Sequence, residues 1–180
     1  MMTDAELISH IRVVPDFPVK GIQFFDITTL LKDAGCLKEL LDRLYEEYKD
    51  KGITKVVGVE SRGFLLGPAL AIKLGAGFVM ARKKGKLPAD TLSETYTKEY
   101  GEDAVEIHAD AIQPGDVCLV HDDLLATGGT TAAVVRLVRK FNPARTYCSF
   151  IIDITDCPKI ADYPGEVPVF SLLEVQEHNS

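Results

Sequence analysis

The run from Val117 to Thr131, VCLVHDDLLATGGTT, constrains the chain more than any other stretch. Its opening residues, Val117 to Val120, are apolar and read as a buried strand. Two carboxylates, Asp122 and Asp123, stand where that strand is expected to end. Ala126 to Thr130 forms a short Gly/Thr loop, and an apolar helical pattern follows at once. Strand, acidic pair, glycine-bearing loop and helix in this order build an anion site at the carboxyl end of a parallel strand. Gly128 and Gly129 let the backbone turn and approach a ligand closely. The amides of Thr127 to Thr131, with the positive end of the helix behind them, suit a phosphate monoester. Thr127, Thr130 and Thr131 add hydroxyls. The aspartates have the wrong sign for phosphate. They suit ribose hydroxyls, a cation carried on the sugar, or positive charge developing on its ring. The combination points to a sugar phosphate. Neither Gly-x-x-x-x-Gly-Lys-Ser/Thr nor Gly-x-Gly-x-x-Gly occurs in the chain.

His121 interrupts the apolar run. A metal pair with Asp122 would need further histidines at ligand spacing, and His10, His108 and His178 provide none. It is read as a strand-end histidine facing a helix or a subunit contact.

Around this stretch the periodicity alternates. Asp4 to Ile11 reads as a short helix. Residues 14–32 are broken by prolines and Gly21, yet are rich in Phe, Ile and Val, so they either cap the core or cover a flat ligand. Asp33 to Lys51 is an amphipathic helix with Leu37, Leu40, Leu41, Leu44 and Tyr48 on one face, ended by Gly52. A buried strand, Lys55 to Glu60, leads into Ser61-Arg62-Gly63 and a helix to Leu74. Amides at that helix start and the fork of Arg62 could bind a diphosphate. Ala76 to Ala81 is a strand running into the basic cluster Arg82-Lys83-Lys84-Gly85-Lys86, a plausible diphosphate clamp. Residues 90–108 read as a long hairpin with arms Thr91–Tyr96 and Ala104–His108, a mobile tip and no apolar face to spare, which makes it a candidate lid. Gly129 to Phe141 is a helix with Val134, Leu137, Val138 and Phe141 inward and Arg136, Arg139 and Lys140 outward. Arg145 to Ile154 and Val167 to Leu173 complete the strands. The sequence therefore predicts an α/β fold of one domain, 1–180, with a mainly parallel central sheet flanked by helices and site loops at its carboxyl edge.

Twenty Lys and Arg against 27 Asp and Glu give a formal charge of −7, which argues against a nonspecific nucleic-acid binder. No apolar run is long enough to span a bilayer, and the amino terminus shows no basic region followed by an apolar core. Cys36, Cys118, Cys148 and Cys157 have no Cys-x-x-Cys spacing, so four reduced thiols and a cytoplasmic location are expected.

The central run resembles the ribose-5-phosphate loop of the type I phosphoribosyltransferases. Phe17 to Thr28, in the pattern Phe-Pro-x-x-Gly-x-x-Phe-x-Asp-Ile-Thr, resembles the amino-terminal hood of the adenine phosphoribosyltransferases. Glu99-Tyr100-Gly101 resembles their lid. The resemblance covers essentially the whole chain. It implies a base-binding hood at 14–32, with Phe24 stacking on adenine and backbone groups of Gln23 and Phe25 reading the purine edge. It implies a flexible lid at 90–108, with Glu99 on N7 and Tyr100 beside it. It assigns Arg62 to the diphosphate or the base side, Arg82 and Lys86 to the diphosphate, Lys86 across a dimer interface, Asp122 and Asp123 to ribose, and Ala126, Thr127, Gly128, Gly129 and Thr130 to the 5-phosphate. The implied reaction is Mg²⁺-dependent, joins adenine and 5-phosphoribosyl-1-diphosphate to give AMP and pyrophosphate, and runs in a homodimer. The cation rides on the diphosphate, and no protein ligand for it is assigned. Lys20 and Phe25 depart from the pattern, which commonly has Pro and Arg there.

Overall fold

The computed structural model describes residues 1–98, 100–160, 163 and 166–178. Nine strands and five helices are assigned among them. The short helix α1 (Asp4–Ser9) is closed by a capping box between Thr3 and Glu6. Strands β1 (Arg12–Pro15) and β2 (Gln23–Asp26) then form a separate antiparallel ribbon, with Val14 opposite Phe24 and Val13 opposite Phe25. Pro18 and Gly21 occupy the turn between these strands and Pro15 ends β1 opposite Gln23, so the broken hood still holds regular structure. One turn of helix, α2 (Thr28–Leu31), leads to α3 (Ala34–Tyr48), whose N-cap Asp33 accepts the amide of Cys36.

A seven-stranded sheet forms the body, in the order β5-β6-β4-β3-β7-β8-β9. Its members are β3 (Lys55–Val59), β4 (Gly77–Lys83), β5 (Thr91–Lys98), β6 (Gly101–His108), β7 (Val117–Leu125), β8 (Arg145–Ile154) and β9 (Val169–Val175). The pairs from β4 through β3, β7 and β8 to β9 are all parallel; β6 joins β4 and β5 antiparallel. The expected mainly parallel sheet is present. Helix α5 (Gly129–Arg139) covers one face, burying Val134, Leu137 and Val138 with Cys118, Val120 and Phe150. Helices α3 and α4 (Gly63–Leu74) cover the other, burying Leu40, Leu44, Leu66 and Leu70 against Val56, Leu119 and Ile151. Cys36, not the half-exposed Leu37, completes the buried stripe of α3 with Leu40, Leu44 and Tyr48. The helical phase set by those residues turns Leu37 outward.

From β3 the chain winds outward to β4 on one side, and the next parallel partner of β3, β7, lies on the other. The crevice beyond the carboxyl ends of β3 and β7 is therefore the switch point at which open α/β sheets place ligands.

The hairpin of β5 and β6 differs from the expectation in two ways. Its strands pair continuously from Thr91–His108 to Lys98–Gly101, so the ladder runs through most of the presumed tip. It also has an apolar face: Ala104, Val105 and Ile107 are buried, and Leu92 and Tyr96 pack on the main core. The base is pinned to α5. Glu94 pairs with Arg136 at 3.2 Å and Lys140 at 2.8 Å, and Lys140 also donates to the Ser93 carbonyl. Glu94→Gln is expected to loosen this anchor at a cost of about 1 kcal/mol. Faster amide hydrogen exchange along β5, with β7 and β8 unchanged, is the readout.

Candidate active site

The crevice is built from two βα turns. The first follows β3, where Glu60, Ser61 and Arg62 precede α4. A Cβ on Gly63 would lie 2.6 Å from the His121 carbonyl oxygen, so glycine lets the start of α4 press directly on β7. That approach brings Arg62 across to the second turn. Its Nε donates to Asp123 Oδ2 at 2.8 Å, and its guanidinium lies 5.3 Å from the Phe24 ring centroid. One arginine thus joins the ring of the hood to the acidic pair. Phe24 is also met edge-on by Phe17 at 5.1 Å.

Strand β7 does not end at the aspartates. It continues to Leu125, because β8 runs alongside and pairs Asp122 with Phe150 and Leu124 with Ile152. Asp122 and Asp123 are successive strand residues on opposite faces. Asp123 is buried and held by Arg62; Asp122 accepts the Asp123 amide at 2.8 Å. Burial, with Asp123 beside it, pushes the Asp122 carboxyl well above the usual carboxylate range. The pair resists carrying two negative charges at once, a cost that a hard cation or ribose hydroxyls bound to its oxygens would relieve.

The loop Ala126–Thr130 follows. Gly128, at φ +86°, is the N-cap of α5 and has no side chain to cap it; of the first-turn amides, that of Gly129 reaches the Thr127 hydroxyl, at a long 3.5 Å. The amides of Thr130 and Thr131 have no partner among the described residues and suit an anion. Two contacts fix the loop from behind. The Ile160 amide donates to the Thr127 carbonyl at 2.9 Å, and the Tyr163 ring lies where a Cβ on Gly128 would sit, 2.5 Å from that point. A cavity of about 220 Å³ collects Glu60, Arg62, both aspartates and the loop to Thr131.

A second cavity, of about 560 Å³, runs from Thr127 and Thr130 to Arg82 and Lys83, with Tyr96 to Lys98 of the hairpin along its side. Tyr96 Oη donates to Asp103 Oδ2 at 3.4 Å within the hairpin, and Tyr96 and Thr130 line this cavity together. Arg82 and Lys86 converge on Glu60, at 3.1 and 3.3 Å from the same carboxylate oxygen, while the other oxygen accepts the Lys83 amide at 2.9 Å. These partners outweigh burial and hold the Glu60 carboxyl at about 2. Buried Nε of Arg82 has no partner among the described residues, a donor left for an anion.

The structure thus gathers Phe24, Arg62, Arg82, Lys86, Asp122, Asp123 and Ala126 to Thr130 along one edge. Other residues of the sequence reading stand apart. Glu99 lies outside the described residues. Tyr100 is 90% exposed and touches none of this. The Gln23 amide is engaged by Glu177 at 3.3 Å, and Phe25 is buried beside Ile8 and Val175. Glu60, Ile160 and Tyr163 were given no role from sequence. Glu60 sits in a recognisable strand-end motif; nothing local marks the other two.

His121 is not a strand-end residue. It is fully buried within β7, its Nδ1 3.3 Å from Ser149 Oγ, and burial lowers its pKa to about 4. It is a neutral core histidine.

A phosphoribosyl transferase domain model matches residues 28–163. The adenine phosphoribosyltransferase of Bacteroides fragilis is 59% identical over 177 residues, covering 97% of this chain and 99% of that one. The chain belongs to the adenine phosphoribosyltransferase family. The solved adenine phosphoribosyltransferase of Rhodothermus marinus superposes with a TM-score of 0.89 at 48% identity, covering 96% of this chain and 98% of that one. The Saccharomyces cerevisiae adenine phosphoribosyltransferase, solved with an imino-altritol bisphosphate and adenine, superposes at 0.83 and 38% identity, covering 94% and 98%. The family therefore shares this sheet with its crevice, and not only the central motif. All four cysteines are free thiols, and among the described residues no helix is long and apolar enough to cross a membrane.

Proposed function

We propose that the chain transfers the 5-phosphoribosyl group of 5-phosphoribosyl-1-diphosphate to adenine, giving AMP and pyrophosphate in purine salvage. The observation that carries the reading is the double contact of Arg62, with Phe24 on one side and Asp123 on the other. It supports a site for a flat ring directly beside one for a sugar.

In this mechanism the loop Ala126–Thr130 grips the 5-phosphate, and Asp122 and Asp123 engage the ribose hydroxyls. Adenine stacks on Phe24, where backbone groups of Gln23 and Phe25 read its edge. For Gln23 this requires its amide to leave Glu177. The bond from the anomeric carbon to the diphosphate oxygen breaks as N9 attacks with inversion, and the ring gains oxocarbenium character between the two events. Arg62, Arg82 and Lys86 take up the charge developing on the leaving group. Glu99 accepts the proton at N7 as N9 becomes bonded, and closure of the 90–108 lid excludes water. The acidic pair suits Mg²⁺, which Asp122 and Asp123 would help to hold through its diphosphate complex. When bound, it would neutralise charge on the departing diphosphate.

Two finer assignments accompany this reading. A homodimer would cover Leu65, Ile72 and Met80, large apolar side chains exposed on α4 and β4; a monomer by light scattering would refute it. A cytoplasmic enzyme is consistent with four free thiols.

The deciding experiment is pyrophosphate release from 5-phosphoribosyl-1-diphosphate and Mg²⁺ with adenine, hypoxanthine and guanine in parallel. Turnover with adenine alone is expected. Turnover with a 6-oxopurine instead would keep the phosphoribosyl site and discard the hood assignment. Turnover with none, despite ligand binding, would indicate a non-catalytic sugar-phosphate binder. Within this scheme Glu99→Gln is expected to lower kcat by about 10²–10⁴-fold while leaving 5-phosphoribosyl-1-diphosphate binding within about threefold. Equal losses in both would remove Glu99 from the proton transfer.

A further inference from the structure

Away from the crevice, one cluster of ligand-type side chains has no part in the reaction. His10 caps the end of α1, Asp33 caps the start of α3, and Cys36 lies in the first turn of α3. An imidazole nitrogen, a carboxylate oxygen and the thiol sulfur of these three lie within 4.8 Å of one another. Met2 adds a thioether whose Sδ is 3.9 Å from Cys36 Sγ. We propose that His10, Asp33 and Cys36 form a binding site for a zinc-class transition-metal ion, with the Met2 thioether flanking the thiolate.

The donor set selects the metal. Nitrogen, oxygen and thiolate sulfur together suit zinc and its neighbours, whereas Mg²⁺ and Ca²⁺ take oxygen ligands. The histidine is oriented for such a role. Its Nδ1 is 2.8 Å from the Glu6 carbonyl oxygen, which can only accept, so Nδ1 donates there and Nε2 is the nitrogen left to face an ion. This is the outer contact that orients a ligating imidazole. The Asp33 carboxylate is fixed as well, because Oδ1 accepts the Cys36 amide at 2.8 Å and so turns toward the same side of the helix as the thiol.

The segments carrying the ligands are assembled independently of any ion. Arg43, from the middle of α3, holds Asp4 at 2.6 Å and also donates to the Met2 carbonyl, clamping the amino-terminal segment to α3. Zinc–ligand bonds of about 2.0–2.3 Å place tetrahedral ligands roughly 3.3–3.8 Å apart. The donor atoms would therefore have to close by roughly 1 Å, which small torsional shifts of exposed His10 and half-buried Asp33 supply while both keep their bonds to the Glu6 carbonyl and the Cys36 amide. Cys36 is buried, so the ion would enter between His10 and Asp33 and meet the sulfur beneath them. A bound ion would staple α1 to α3 on the face opposite α5.

Cobalt titration of the full chain, without diphosphate, tests the site. One equivalent of Co²⁺ is expected to give intense tetrahedral d–d bands and a thiolate charge-transfer band, both removed by added Zn²⁺. Cys36→Ser should abolish the charge-transfer band. His10→Ala, at an exposed position, should weaken binding at least about tenfold and leave the fold intact. Asp122→Asn should leave the cobalt spectrum unchanged, which separates this site from cation binding in the crevice. A weak octahedral spectrum, no cobalt uptake, or a spectrum indifferent to both His10→Ala and Cys36→Ser would overturn the proposal.

Discussion

Gly128→Ala is expected to lower kcat/KM for 5-phosphoribosyl-1-diphosphate by about 10²-fold or more, with a much smaller loss of stability. Two costs coincide at this residue. A left-handed φ of +86° is unfavourable by about 1–2 kcal/mol once a Cβ is present. The new methyl would also stand 2.5 Å from the Tyr163 ring, a distance no Cβ contact tolerates. Something must move, and the hinge is the residue immediately before α5. Its shift carries the amides of Gly129 to Thr131 with it. A displacement of about 1 Å in a group that orients substrate is enough for a loss of this size. Gly115→Ala supplies the control: it has nearly the same φ, +89°, with nothing within 4 Å of the added methyl and no place in the crevice. Steady-state kinetics on both variants, with thermal unfolding alongside, separates backbone strain from site geometry. Similar kinetics for Gly128→Ala and the parent protein would mean that the 5-phosphate does not use this loop.

The contrast between these two glycines shows what local sequence can and cannot reveal. Strand, acidic pair, Gly/Thr loop and helix are adjacent in the chain, and their order placed the loop at the carboxyl end of β7, while the alternation of strands and helices carried the mainly parallel sheet. Partners brought in from a distance were not legible. Tyr163 reaches Gly128 only through the connection after β8, and no residue pattern near either one marks the contact. Arg62 meets Asp123 because Gly63 allows α4 to sit against β7, a packing event with no signature in either segment. The end of β7 was misplaced for a related reason: two charged residues normally stop a buried strand, but here β8 carries the ladder past them. In the hairpin, polar residues alternate with Val105 and Ile107, and the polar majority hid a face that the edge of the sheet buries. Leu37 shows the opposite error, an apolar residue one step out of phase with a stripe that Cys36 completes.

Asp122→Asn is the substitution that sets function against stability. It is expected to lower kcat/KM for 5-phosphoribosyl-1-diphosphate by about 10²-fold while raising the melting temperature. Burial and the adjacent Asp123 make a charged Asp122 unfavourable in the folded chain, so its carboxyl releases a proton later than in the unfolded chain. As pH rises above the ordinary carboxylate value of about 3.9, the unfolded state loses that proton first, and the folded state is progressively penalised. Asparagine keeps an oxygen to accept the Asp123 amide, now bonded at 2.8 Å, and carries no charge to bury. The gain should be about 2–4 °C, the shift produced by about 1 kcal/mol in a domain of this size. It should vanish near pH 4 and open as pH rises. The loss of activity has the same origin as the gain in stability. The repulsion that costs the empty fold is relieved when the pair meets ribose hydroxyls or the cation carried with diphosphate, so substrate binding draws on a charge the folded chain holds under strain. Melting curves from pH 4 to pH 8 on the variant and the parent protein, each with and without Mg²⁺ and 5-phosphoribosyl-1-diphosphate, test both halves. Ligand should raise the parent's melting temperature more than the variant's. A variant less stable than the parent at neutral pH would show that Asp122 is held by contacts stronger than its repulsion from Asp123, and that the acidic pair is a structural feature of β7 and not a site prepared for charge.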